Sequence, residues 1–246
     1  MFELDINKIS PFQSFSPAHY IPILAFTLIF LVFLIYTKRC DPELQHKLAI
    51  GYASILATSI LFWMLFKVFN KHFDIKEDLP FHLCNLLPFL APISIYYRSR
   101  WFFGILYFFI LAGTLQSIIT PDLKEGFPHY IYFRYWLIHC GLIGLVVYIL
   151  VVLKWKVYLV DIKNALIAAN IYLCFSLIIN YLTGGNYFFT MQKPSVPTLL
   201  DYLGPWPWYL ISGQLLMAFL FLLYYIPIYY INKRKLIPII NEEFEK

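Results

Sequence analysis

The chain consists of long apolar runs parted by short clusters of charged and turn residues. Seven runs approach the roughly 20 mostly apolar residues that a helix needs to cross a bilayer. They cover 20–37, 48–69, 80–97, 101–119, 132–153, 163–182 and 207–231. Lys38-Arg39, Asn70-Lys71, Arg98 to Arg100, Pro121-Asp122, Lys154 to Lys156 and Gly184-Gly185 separate them. The third run is the weakest, being short and carrying Pro80, Pro88 and Pro92. A re-entrant hairpin made of the third and fourth runs is the structural alternative. The pattern predicts an all-α polytopic membrane protein: one bundle of seven transmembrane helices, forming a single domain over residues 1–246. No internal repeat and no soluble segment interrupts it.

Composition strengthens this reading. The chain is 61% hydrophobic and only 13% charged, whereas soluble domains carry about 25% charged residues. A water-soluble exterior could not be built from it. The first apolar run starts near residue 20, is long enough to span and lacks a small-residue cleavage site. It is therefore expected to persist as a helix and not to act as a signal peptide.

Charge then orients the bundle. Twelve of the nineteen lysines and arginines fall after the first, third and fifth runs and in the tail, from Lys38 and Arg39 to Arg234, Lys235 and Lys246. Lys8, Arg134 and five others fall on the opposite side. The richer side is expected in the cytoplasm. That places the N-terminus outside and the C-terminus inside a cell membrane. The net charge of +5 then reads as a topology signal, with no nucleic-acid partner implied.

Polar residues at membrane depth usually face a bundle interior. Here they gather toward one side. His82, Cys84 and Asn85 begin the third run, Gln116, Ser117 and Thr120 end the fourth, and Asn180 ends the sixth. His139 and Cys140 lie about 10–12 Å below the outer end of the fifth, at 1.5 Å per residue. The connections on that side add Asp122, His129, Asn186, Tyr187 and Lys193. Such one-sided placement predicts a pocket open to the outer leaflet.

The stretch from Leu79 to Asn85 holds the richest chemistry. Pro80 suits a first helical turn, with Asp78 as its cap. Cys84 then sits near a helix N-terminus, where the dipole favours an anion. Pro88 cannot donate to the Cys84 carbonyl, so a kink is expected beside the thiol. His82 and Cys84, two apart, point to different sides of a helix. His139 is thus a second candidate base. Cys40, Cys140 and Cys174 read as small buried hydrophobes. Asn180 and Gln116 also read as helix–helix hydrogen-bonding residues. No Walker, Rossmann, Gly-x-Ser-x-Gly or Cys-x-x-Cys motif occurs, and no cofactor is expected.

One set of motifs carries a family resemblance. It comprises Leu79-Pro80-Phe81-His82-Leu83-Cys84, Gly113-Thr114-Leu115-Gln116, Thr120-Pro121-Asp122 and Phe127-Pro128-His129. It continues with His139, Gly185-Asn186-Tyr187, Lys193-Pro194 and Leu203-Gly204-Pro205-Trp206-Pro207. Together these resemble the bacterial YwaF family, grouped with eukaryotic transmembrane protein 164. A more distant similarity connects the group to the androgen-induced-gene family of membrane ester hydrolases. The resemblance implies acyl transfer between phospholipids without acyl-CoA, through a cysteine placed at Cys84.

Acyl transfer needs a nucleophile, a base and oxyanion donors. Cys84, then His139 or His82, then Asn85, Gln116 or Asn180 could supply them, with Asn186 and Tyr187 nearby. Lys193 or Arg134 could meet a phosphate. The expected partner is a membrane phospholipid or lysophospholipid. Two other classes stay open. One is metal-dependent lipid hydrolysis, with His82, His129, His139 and Asp122 as ligands. The other is a transporter or sensor that binds a solute in the same cluster.

Overall fold

A computed structural model describes residues 11–194 and 198–244, with side chains as far as residue 233. Lys8 and Lys246 lie outside the described residues, as do the side chains of Arg234 and Lys235. The described chain is mainly α-helical, in the order α1 (Pro17–Thr37), α2 (Pro42–Phe69), α3 (Leu83–Tyr96), α4 (Arg100–Phe109), α5 (Leu115–Ile119), α6 (Tyr130–Val151), α7 (Leu159–Thr183) and α8 (Trp208–Phe244). A five-residue π-helical turn, Ile110–Thr114, joins α4 to α5 without a break.

Local chemistry sets the boundaries. Pro42 opens α2, and the Asp41 carboxylate caps it by accepting from the N–H groups of Glu43 and Leu44 at 3.1 and 2.9 Å. Ser99 caps α4 through the Phe102 N–H. Gly184 ends α7 at φ 68°, a left-handed position that glycine adopts without steric cost.

Six segments are long and apolar enough to cross a membrane: α1, α2, the α4–α5 unit, α6, α7 and α8. The expected third span is the exception, because α3 has only 14 residues. At 1.5 Å per residue it is about 21 Å long, short of a hydrocarbon core of about 30 Å. The helix starts three residues later than the sequence suggested. Pro80 lies outside it, and Asp78 is no cap. Asp78 instead pairs with Lys67 at the end of α2 and accepts from the Asp74 N–H. The residue before a proline avoids the helical region, so Leu79 to Phe81 run irregularly. Tyrosine hydroxyls satisfy that backbone: Leu79 N–H donates to Tyr187 Oη, and Tyr172 Oη donates to the Phe81 carbonyl.

Two helices form the centre. In their most apolar stretches, half of the α4–α5 unit and 56% of α6 is buried, against 6% of α1 and 11% of α8. The α2–α6 contact uses small residues, as membrane helices do. Ala49 and Ala53 are fully buried on α2, and a Cβ on Gly141 would fall 2.6 Å from Leu56. Tyr52 Oη closes the contact by donating to the Gly141 carbonyl at 2.8 Å.

The bundle has two distinct ends. At the first, Arg100 of α4 grips Asp161 of α7 with a guanidinium fork at 2.6 and 3.1 Å. Asp161 is completely buried and also accepts from the Tyr158 N–H. Gly104 makes this possible, since a Cβ there would sit 2.5 Å from the Asp161 carboxyl carbon. Arg98, just after α3, reaches Glu43 at the start of α2 at this same end. At the opposite end lie the Lys67–Asp78 pair and the N-terminus of α3, which carries Cys84.

Candidate functional site

At the Cys84 end the helices enclose a cavity of about 340 Å³. Its walls come from the first turn of α3, the π-turn and α5, the middle of α7, residues 188–190, 194 and 198–203, and α8. The lining is mainly apolar, with Leu87, Phe109, Leu173, Met217 and Phe221 among it. His82, Cys84, Thr114, Gln116, Asp122 and Gln214 bring polar groups to it.

Cys84 is the second residue of α3, and His82 is the N-cap. The Asn85 and Leu86 N–H groups donate to the His82 carbonyl at 2.9 and 3.0 Å, closing the first turn of α3 around Cys84. Pro88 lacks the N–H that would bond the Cys84 carbonyl, yet α3 remains continuous through Tyr96. The His82 ring packs edge-on against Tyr187 at 5.4 Å and against Phe189 at 5.1 Å. Asn85 is half-buried and outside the cavity wall.

His139 stands behind the wall, on α6, a helix packed against α3, α5 and the π-turn. It is 4% exposed and stacked on Tyr135 with ring centres 4.0 Å apart. Its Nδ1 lies 2.8 Å from the Tyr135 carbonyl. A carbonyl only accepts, so Nδ1 carries the proton and Nε2 carries the lone pair. That Nε2 is buried without a partner among the described residues. Tyr135 meanwhile donates to the Ser117 carbonyl at 2.7 Å, linking the helix of His139 to α5.

Arg134, one turn earlier on α6, lies over the Trp63 ring at 6.0 Å, within cation–π range. Its Nε is also buried without a partner. Asp122 follows α5 at the cavity edge, solvent-accessible yet enclosed on most sides. Desolvation pushes its carboxyl above the usual carboxylate range, with Lys124 opposing and Glu125 adding to the shift.

Other predicted site residues turn out to hold the connection between α7 and α8. Asn180 donates to the Tyr187 carbonyl and to Thr190 Oγ1 at 2.8 and 2.7 Å, and accepts from the Tyr187 N–H. Its amide hydrogens are thereby taken. Asn186 folds the next turn through Met191, Gln192 and the Gln192 carbonyl. Tyr187 Oη bonds Ile75 and Leu79, tying this connection to the segment before His82. Lys193 donates to the Asp201 carbonyl and lies over Tyr209. Gln116 donates to Tyr224 Oη at 3.3 Å, a long bond, while still lining the cavity.

The alternative metal set is not assembled. Among the described residues no three His, Cys, Asp or Glu side chains come close enough to hold an ion. His129 caps α6 by accepting from the Ile131 N–H. Cys40, Cys140 and Cys174 are free thiols outside the cavity wall.

Sequence reasoning missed Thr114 as a site residue. Thr114 ends the π-turn, which no residue pattern announces, and borders the cavity there. Sequence reasoning also missed a second cavity of about 400 Å³ between α3, α4 and α7, lined entirely by apolar side chains and Tyr172. Leu83, Phe109 and Tyr172 belong to the walls of both.

These features define a class: a polytopic α-helical membrane protein with a thiol-bearing internal cavity at one end. The chain belongs to the TMEM164 family, whose family model matches residues 14–225. It is also similar to a Treponema pallidum (strain Nichols) protein named "Uncharacterized protein", at 26% identity over 119 residues, 48% of this chain and 50% of the relative. The chain thus spans about half the length of the curated relative it matches. No solved structure matches.

Proposed function

We propose that the protein is a membrane enzyme that transfers or hydrolyses phospholipid acyl esters through an acyl-Cys84 intermediate. The observation that carries this reading is the position of Cys84. A thiol at a helix N-terminus faces a mainly apolar cavity that adjoins a wholly apolar crevice. An ester group fits the first space and a hydrocarbon chain fits the second. The crevice follows α4 from Phe109 to Trp101, about 12 Å at 1.5 Å per residue.

The chemistry follows from the residues. Cys84 Sγ attacks the ester carbonyl, and its proton passes to the bare Nε2 of His139. The Tyr135 carbonyl holds that ring in the required tautomer. The carbon–oxygen bond then breaks, and the proton returns to the departing lysophospholipid oxygen. A second lysolipid, or water, takes the acyl group from sulfur. Arg134, half-buried and with its Nε unpartnered among the described residues, offers its guanidinium to the phosphate.

This reading includes a seven-crossing bundle with the N-terminus and the Cys84 end outside. The pairing of α2 supports it. Glu43 at one end of α2 meets Arg98 and Lys67 at the other meets Asp78. The segment 78–98 therefore runs the length of α2, its irregular start adding to the short helix.

The test uses purified protein in liposomes containing phosphatidylcholine with a labelled acyl chain. Cys84→Ala is expected to abolish release and transfer of the label. Undiminished turnover by that variant would falsify the covalent mechanism.

A further inference from the structure

We propose that Thr114 is a catalytic residue whose hydroxyl donates a hydrogen bond to the oxyanion formed when Cys84 attacks an ester. The inference rests on the acyl-Cys84 reading above and adds a residue to it.

Thr114 is 1% exposed, and its Oγ1 has no hydrogen-bond partner among the described residues. This departs from how hydroxyls are treated elsewhere in the bundle. Thr27, Ser117, Thr120 and Thr183 each donate to the carbonyl four residues earlier. That back-bond is the ordinary refuge of a hydroxyl on an apolar helix. For Thr114 the carbonyl would be that of Ile110, the first residue of the π-turn that Thr114 ends. Widening the turn to five residues displaces that carbonyl, and the hydroxyl loses its usual acceptor. π-Turns inside helices are costly and concentrate at functional sites.

Thr114 also borders the right space. Thr114 and Cys84 line the same cavity. Their neighbours touch: a Cβ placed on Gly113 would be 3.8 Å from a Leu83 methyl. The π-turn therefore rests directly against the first turn of α3. Of the donors named from the sequence, Asn180 has both amide hydrogens taken by Tyr187 and Thr190, while Gln116 gives one of its two to Tyr224. Thr114 Oγ1 and, in the same lining, Thr198 Oγ1 have no bond to give up among the described residues, and Thr114 is the one on the turn that packs against α3.

In the step itself, the Sγ–carbon bond forms as the carbonyl π pair moves onto oxygen. That oxygen gains negative charge and needs a donor it did not need before attack. The Thr114 hydroxyl meets it there. When the pair returns, the ester carbon–oxygen bond breaks and the alkoxide leaves with the proton held on His139. A donor that engages only the developing charge lowers the barrier without tightening the ground state.

The experiment compares Thr114→Val, Thr114→Ser and Cys84→Ala in the same phosphatidylcholine liposomes, with thermal unfolding in detergent measured alongside. Thr114→Val is expected to lower kcat by about 10²- to 10³-fold, as loss of one oxyanion donor does, with little change in KM. Thr114→Ser should retain most activity. Because the valine replaces a hydroxyl with no partner, its Tm should equal or exceed that of the parent. Turnover by Thr114→Val close to the parent's, a serine variant as poor as the valine, or a lowered Tm for the valine would each overturn the assignment. An inactive Cys84→Ala beside an active Thr114→Val rejects Thr114 alone. An active Cys84→Ala rejects the acyl-cysteine reading, and the Thr114 role falls with it.

Discussion

The two ends of the bundle differ in that buried polar groups left without a partner gather at one of them. At the Asp161 end buried polar groups are paired: Arg100 forks onto Asp161, Tyr158 N–H completes the carboxylate, and Tyr148 Oη donates to the Gln45 carbonyl. At the Cys84 end, Thr114 Oγ1, Arg134 Nε, Trp136 Nε1 and His139 Nε2 are buried without a partner among the described residues. Lipid makes bare polar groups expensive, so polar groups at depth are normally paired or functional. The first end behaves as scaffold. The second keeps donors and a lone pair in reserve for something that is not part of the chain.

That contrast breaks first at Asp161. If the Asp161 end is scaffold, Asp161→Ala strands a cation and should destabilise the protein by roughly 3–5 kcal/mol, the usual result of breaking a buried pair. Detergent-solubilised Tm would report it. Turnover per folded molecule should be unchanged, because Asp161 lies at the far end from Cys84. A stable variant with lost activity would reverse the roles of the two ends.

The opposite signature is expected at His139. Replacing it with Phe keeps the ring stacked on Tyr135 and removes the bare Nε2. General-base loss should lower turnover by about 10²- to 10⁴-fold while Tm holds or rises. Parallel loss of Tm would mark His139 as structural. Turnover by His139→Phe near the parent's would shift the base to His82, which shares the cavity with Cys84.

How much of this contrast was legible in the sequence varies with the length scale of the cause. Apolar runs fix the long helices, because lipid solvation acts on some twenty residues at once. Caps such as Asp41 and Ser99 are equally local and equally readable. The site depends on contacts that residue order does not announce. Proline chemistry around Pro80 suggested a helix start, but the hydroxyls of Tyr172 and Tyr187, both distant in sequence, stabilise the irregular segment instead. Asn180 and Gln116 have the same side-chain chemistry and similar depth, yet one is absorbed by the Tyr187 connection and the other lines the cavity. Thr114 stands in one of the motifs that carry the family resemblance, Gly113 to Gln116, but nothing in that motif sets its hydroxyl apart. Its importance comes from a helical turn one residue too wide.

A subtler way to sharpen the comparison lies in the apolar crevice. Ala168 of α7 lines it opposite Ile105. Ala168→Phe adds bulk to that wall without touching a polar group at either end. If the crevice holds the acyl chain, the variant should shift preference toward shorter chains by one to two orders of magnitude, since each buried methylene contributes about 0.8 kcal/mol. Competition between short- and long-chain phosphatidylcholines measures the shift. Equal loss for all chain lengths would assign the crevice to packing alone.

The smallest effect is expected at Asp122, and it separates the ends by pH. Burial raises the Asp122 carboxyl above its unfolded value, Lys124 only partly offsetting this. The folded protein therefore holds a proton that the unfolded chain has already released. Between the ordinary carboxylate range and the raised value, stability falls as pH rises, and above that window the loss is constant. Asp122→Asn removes the ionisation. Its Tm should exceed the parent's at neutral pH, and the advantage should vanish once the pH falls below the carboxylate range. The Asp161 carboxylate gives no such gain, because its charge is matched by Arg100. A neutral-pH advantage for Asp122→Asn beside a loss for Asp161→Asn would show one carboxylate tolerated for its place at the cavity and the other retained for the fold. A destabilised Asp122→Asn at neutral pH would mean that this charge, too, has a structural partner, and the division between the ends would fail at its edge.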